Sequence, residues 1–465
     1  MNLADLGVVD IVRATSSGDI AVGQVVEDCL ARIALRDPGL NAFSVVLADQ
    51  ARARAAELDE GWQPEGLGPL YGVPVAVKEE IDVAGCVTTF GGSANSTPAR
   101  ADGEIVRRLR EAGAVIIGKT RMPEFGQWPF TESIAGGVTR NPWRPSHSPG
   151  GSSGGSAVAV AAGMVPVAIG GDGGGSIRIP AACTGLFGLK PERGRVSSSP
   201  MPHLWWALGT AGPLTRSVID SAVVYDVLRG NVAADIFRAP ETSSFTEAAI
   251  LPPRPLRIGW TLKPVARGVR VDLQSRRAVE ETARLLTTLG HDVREVDAQL
   301  PDPTAAFVPQ FFAGVRSEAD EVEHFDRLEP RTRQVHRLGT WARGAVLRKA
   351  LRHGESISER ANRVFTQVDV LLTPTIACRP PRTGQLDRGG ALSQSMKAMP
   401  MIAHTALWNV TGNPAASVPA GVGPDGLPLA VQIVAPRGEE TTLLSLAAQL
   451  EQARPWQMPE IKDAR

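Results

Sequence analysis

The chain has 465 residues, 43% hydrophobic and 21% charged, and its 49 Lys plus Arg balance 49 Asp plus Glu. A zero formal charge gives no basic footprint for nucleic acid or an anionic membrane, and the composition suits an ordinary folded protein. Cys29, Cys86, Cys183 and Cys378 are too scattered for a zinc site or a disulfide framework and read as free thiols, which fits a cytoplasmic chain whose N-terminus shows no signal peptide.

The spacing of Val22, Val25, Val26, Cys29, Leu30 and Ile33 predicts a helix from Ile20 to Arg36, stopped by Asp37-Pro38. A second helix is expected from Ala48 to Leu58, and Val73 to Val77 reads as a buried strand leading into Lys78. Asp102 should cap a helix through Ile105, Val106 and Leu109 that Gly113 closes, with a strand from Ala114 to Ile117. Ser152 or Ser153 should cap a helix running to Ala162. Val165 to Ile169 then forms a strand ending at the glycine loop before Ser176. The apolar stretch Ala157 to Ile169 is too short to span a membrane. Glu241 to Pro255 reads as a surface connection and Arg257 to Trp260 as a strand. Asp272 to Phe365 is expected to be mainly helical, Val368 to Leu372 a strand, and Arg379 to Ser395 a mobile loop. Ala415 to Ala420 and Leu429 to Val434 are the last expected strands. Alternating strands and helices predict an α/β fold, and the lack of a clean boundary favours a single domain over 1–465.

Three patterns compete for the chemistry. Gly113 to Thr120 fits the phosphate-binding expression G-x-x-x-x-G-K-T, but its four variable positions are Ala, Val, Ile and Ile, which read as a strand where the mechanism needs a loop, and Pro123 interrupts any following helix. Gly151-Ser152-Ser153-Gly154-Gly155 fits the nucleophile elbow of an α/β-hydrolase-type esterase using Ser153, yet His203, His291, His324, His336, His353 and His404 all lack an informative context. The third pattern joins Lys78, Ser152 and Ser176. A serine hydroxyl needs a base to attack at neutral pH. Without a histidine, a buried lysine can serve, because burial disfavours its ammonium form. The structural alternative is a lysine held charged by Glu79, Glu80 or Asp82.

The third pattern resembles the amidase signature family of serine hydrolases. The resemblance rests on Gly72-Val73-Pro74-Val75-Ala76-Val77-Lys78, Pro149-Gly150-Gly151-Ser152-Ser153-Gly154-Gly155-Ser156 and Gly174-Gly175-Ser176-Ile177-Arg178-Ile179-Pro180-Ala181. Gly188-Leu189-Lys190-Pro191, Gly212 to Arg216, Asp369 to Thr375 and Thr411 to Ala415 extend it over nearly the whole chain. It implies a large mixed β-sheet covered by helices on both faces. The signature core falls at about 65–220, with a helical, more variable region at about 265–400. It also implies hydrolysis of a carboxylic amide through an acyl-enzyme. Ser176 is then the nucleophile, Ser152 on a cis peptide the bridge, and Lys78 the base. The backbone N–H groups of Gly173, Gly174, Gly175 and Ser176 form the oxyanion hole, with Asp172 and Arg178 supporting the loop. No metal or organic cofactor is implied. The partner is a small-molecule amide, with no nucleic acid and no membrane, and homodimers occur among relatives.

Three residues depart from the family habit: Gly171 and Gly173 stand where Ser and Thr are common. Glu79 also replaces the Asp that often follows the lysine. The alternative within the family is the glutaminase subunit of a tRNA-dependent amidotransferase, disfavoured by Ile179 where such subunits commonly have Gln. Trp128, Phe130, His203, Trp205 and Trp206 are candidates for an apolar substrate pocket.

Overall fold

The computed structural model describes residues 3, 6–63, 65–266, 268–386 and 390–461. In chain order its strands are β1 (Phe43–Val46), β2 (Pro74–Lys78), β3 (Val115–Thr120), β4 (Glu132–Ser133), β5 (Gly137–Val138), β6 (Val167–Gly171), β7 (Phe187–Lys190), β8 (Ala211–Thr215), β9 (Arg257–Trp260), β10 (Asp292–Glu295), β11 (Val370–Pro374), β12 (Ala415–Val422) and β13 (Pro428–Val434). β4 and β5 pair with each other. The remaining 11 form one sheet in the order β1-β3-β2-β6-β8-β7-β12-β13-β11-β9-β10. It is mixed: β3, β2 and β6 run parallel, β6 to β8 is antiparallel, and β11, β9 and β10 are again parallel.

Side chains of successive strand residues point to opposite faces, and here each face meets its own apolar layer. Val75, Val77, Ile116, Val167 and Ile169 join the helices Glu104–Glu111, Val218–Leu228 and Glu440–Ala453 on one side. Ala76, Val115, Ile117 and Ala168 join Val22–Leu40, Ala48–Glu60 and Gly154–Ala161 on the other. Because both faces are covered, β2, β3 and β6 are buried along their whole length.

Several local expectations change. The first long helix continues through Pro38 to Leu40 and ends at Asn41 in the left-handed region (φ 56). Only two helical residues follow Pro38, and the chain beyond is held by the Asp37 carboxylate, which accepts from the N–H groups of Ala42 and Phe43. Gly103, not Asp102, precedes the helix Glu104–Glu111, because Asp102 accepts from Ala84 N and pairs with Arg110. The connection Glu241 to Pro255 contains a helix, Phe245–Ile250, anchored by the fully buried Phe245. The segment Arg379 to Ser395 is not a loop throughout. Arg379 is clamped by Asp425, and Ser395 lies in the helix Ala391–Ile402. Asp387, Arg388 and Gly389 of that segment lie outside the described residues.

Candidate active site

Lys78 is the last residue of β2, and Gly171 is the last of its parallel neighbour β6. Ligand sites in such sheets lie beyond the carboxyl ends of the strands, and both chain segments open there. β6 runs into Asp172-Gly173-Gly174-Gly175 and Ser176. Ser152 stands just before the helix Gly154–Ala161. The Ser153 N–H donates to the Ser176 carbonyl (3.3 Å) and ties the two serine segments together.

Lys78 is 2% exposed, and its Nζ donates to Ser152 Oγ at 2.9 Å. The Gly151–Ser152 peptide is cis. Ser176 shares one small cavity, about 30 Å³, with Lys78 and Ser152; Glu80 and Glu318 also line it. The three acidic neighbours of Lys78 divide sharply. The Glu79 carboxylate accepts from Thr89, Asp82 accepts from Thr88, and Glu80 Oε2 sits 3.2 Å from Lys78 Nζ. Of the three acidic partners that would hold the lysine charged, Glu80 is the one that meets it, so the base candidate contacts both a carboxylate and a serine. Sequence reasoning named Glu80 only as a charge partner and had no signal for Glu318.

The loop carrying Ser176 is folded around Asp172. Its carboxylate accepts from Gly175 N (2.7 Å), Ile177 N (3.2 Å) and Asn409 Nδ2 (2.8 Å) and makes a two-pronged pair with Arg178 Nε and Nη2 (2.9 Å each). Burial alone would raise the Asp172 carboxyl, but the Arg178 charge and these bonds hold it well below the usual carboxylate range. Arg178, buried with it, also donates to Thr405 O, Gln432 Oε1 and Asn409 Oδ1. Asn409 and Gln432 have no motif of their own; Asn409 lies just before the Thr411 to Ala415 segment. Of the four N–H groups expected to form the oxyanion hole, that of Gly175 donates to Asp172 in this structure.

A second cavity of about 290 Å³ opens beside Ser176 and Gly174, walled by Phe307, Phe311, Val335, Ile402 and Leu407. Of the five aromatic and histidine candidates, Trp128 and Trp205 line it. Phe130 does not: it stacks behind Trp128 with ring centres 5.9 Å apart. His203 and Trp206 stack on each other at 4.3 Å, and Trp206 packs toward Ala313 and Leu347 instead.

The rejected patterns have plain structural roles. Gly113 to Thr120 is mostly β3, and Lys119 Nζ donates to Val87 O and Thr88 Oγ1. Ser153 Oγ, fully buried, exchanges hydrogen bonds with the backbone of Gly171. Among the described residues no group of three or more His, Cys, Asp or Glu side chains is placed to hold a metal ion, and no helix is long and apolar enough to cross a membrane.

A family model described as Amidase matches residues 24–444. The chain is 45% identical over 458 residues to the protein AmiB2 of Mycobacterium tuberculosis (strain ATCC 25618 / H37Rv), covering 98% of this chain and 97% of that one. Among solved structures it resembles a 6-aminohexanoate cyclic dimer hydrolase complexed with substrate (TM-score 0.92, 31% identity, 99% and 100% of the two chains). It also resembles a bacterial aryl acylamidase of the amidase signature family (TM-score 0.88, 30% identity, 97% and 96%).

Proposed function

The chain belongs to the amidase family and is a hydrolase of carboxylic amide bonds, and from that premise we propose that Lys78, Ser152 and Ser176 carry the reaction. The observation that carries the proposal is the 2.9 Å contact from Lys78 Nζ to Ser152 Oγ, made in the same cavity that Ser176 lines. As Ser176 Oγ bonds to the amide carbon, its proton passes through Ser152 to the neutral amine of Lys78, which becomes the ammonium. The same path returns the proton to the leaving nitrogen, and water then repeats the sequence and frees the acid. The carbonyl oxygen becomes an oxyanion, which the N–H groups of Gly173, Gly174 and Ser176 stabilise. Asp172 and Arg178 act by holding the loop that presents those donors.

The two cavities divide the substrate. Protonation by Ser152 requires the leaving nitrogen to face the small polar cavity, so ammonia or a small amine departs there. The acid portion enters the apolar cavity, which favours an alkyl or aryl acyl group. A glutaminase reading would place the charged groups of free glutamine against these apolar walls, to which Ile179 belongs. A homodimer and a cytoplasmic location complete the proposal. Light scattering at the mass of one chain would overturn the first, and fractionation outside the cytoplasm the second.

A panel of acyl and aryl amides assayed on wild type and Ser176→Ala tests the reaction. Wild type should show an acyl-enzyme on Ser176 by mass spectrometry, and Ser176→Ala should fall by about 10³-fold or more. Substantial hydrolysis by Lys78→Ala would refute the relay.

A further inference from the structure

The two glycines that set this loop apart each leave room for another side chain. A Cβ at Gly173 would stand 2.8 Å from the Trp205 ring, and a Cβ at Gly171 would stand 2.2 Å from Glu80 Oε1. Both separations are too short, so a side chain at position 171 would push the end of the flexible Glu80 side chain out of its place. Glu80 uses that room to reach Lys78 Nζ at 3.2 Å. A lysine nitrogen sits at the end of a flexible stem, and one contact fixes its distance to a partner but not its aim. Lys78 has two fixed contacts, to Ser152 and to Glu80.

Resting on the Ser176–Ser152–Lys78 reading above, we infer that Glu80 is a positioning residue of the relay, holding Lys78 Nζ against Ser152 Oγ and facing the positive charge Lys78 gains on accepting the proton, with Gly171 as the gap that admits it. Glu80 forms no bond to substrate and takes no proton. The proton released by Ser176 ends on Nζ, and the carboxylate supplies orientation and countercharge, as the aspartate does behind the histidine of a Ser-His-Asp triad. Glu318 lines the same cavity but does not compete. Burial pushes its carboxyl up to about 8, which keeps it mostly uncharged at neutral pH, and its Oε2 accepts from Trp205 Nε1 (3.3 Å).

A Cβ at position 171 would also lie 3.6 Å from Lys78 Nζ, which puts a serine hydroxyl there within reach of the lysine. A carboxylate from position 80 and a hydroxyl at position 171 are thus alternative second partners for one lysine, and this chain uses the carboxylate.

Labelling of Ser176 by a fluorophosphonate reads its nucleophilicity without knowledge of the substrate. Glu80→Gln, which keeps the shape, should slow labelling by about tenfold or more, and on an amide from the panel should lower kcat with KM unchanged. Gly171→Ser and Glu80→Ala should each be slow. The combined Gly171→Ser, Glu80→Ala variant should label faster than either, because the clash is gone and the hydroxyl replaces the carboxylate. Thermal melts establish that each variant is folded. A Glu80→Gln protein labelled at more than about half the wild-type rate, or a double variant no faster than both singles, overturns the role of Glu80. Absence of label on wild-type Ser176 overturns the relay itself, so the two failures are distinct.

Discussion

Asp172 and Arg178 are buried together, and each satisfies the other while fixing the loop before Ser176. Removing one partner leaves a buried charge uncompensated. Asp172→Ala is therefore expected to lose about 3–5 kcal/mol in urea denaturation, along with activity. Retention of wild-type stability would mean that water reaches Arg178 in the folded protein. Glu318 makes a second test at this scale. Burial raises its carboxyl from 4.5 to about 8, so the folded chain keeps a proton that the unfolded chain has released. The sign follows: stability tied to this group is complete below about 4.5, falls as pH rises toward about 8, and is flat beyond. Glu318→Gln should become progressively more stable relative to wild type across that window, read as the difference between urea midpoints at pH 5 and pH 8.5. A constant difference would count against the shift.

At the scale of elements, the helix Gly154–Ala161 places Ser152 because its first turn lies directly on the neighbouring backbone. A Cβ at Gly155 would stand 2.4 Å from Arg121 N and 2.5 Å from Ala42 O, neither of which can swing aside. Gly155→Ala should cost about 1–3 kcal/mol in a denaturant melt and lower kcat by displacing Ser152; an unchanged melt would show that the backbone at Arg121 and Ala42 can yield. The segment before β8 sorts its aromatics by backbone conformation. Trp205 and Trp206 both take left-handed φ values, 49 and 61, and their rings part, one into the cavities and one away. Such values are uncommon for bulky residues, and nothing in the spacing of Trp205-Trp206 distinguishes the two. The helix Thr304–Asp320 closes the apolar cavity with Phe307 and Phe311. Phe307→Ala should shift preference toward bulkier acyl groups, seen as a higher ratio of kcat/KM for a long-chain over a short-chain amide; an unchanged ratio would place the acyl group elsewhere.

At the scale of the molecule, the sheet begins at Phe43 and takes its last strand at Val434, so the segments expected as core and variable region share one set of strands. A single calorimetric transition is the expected consequence, and two separable ones would divide the chain into domains. Much of this was legible in the sequence. Glycines mark where a backbone must turn or be approached, and strands buried on both faces read as unbroken apolar runs, so the positions of Lys78, Ser152 and Ser176 at segment ends followed from local pattern alone. What local pattern could not decide was which groups meet. Lys78, Lys119 and Lys190 all end buried strands or nearly so, and all three are almost inaccessible. Lys119 donates to the loop at Val87 and Thr88, Lys190 to Pro191, and only Lys78 of the three faces Ser152 and Glu80. The sequence alone determined the chemistry available and the elements that carry it. The pairing of β2 with β6 decided which lysine faces Ser152, and the space at Gly171 admits the carboxylate that stands beside it. Contacts of that kind depend on distances between residues far apart in the chain, which only the folded sheet sets.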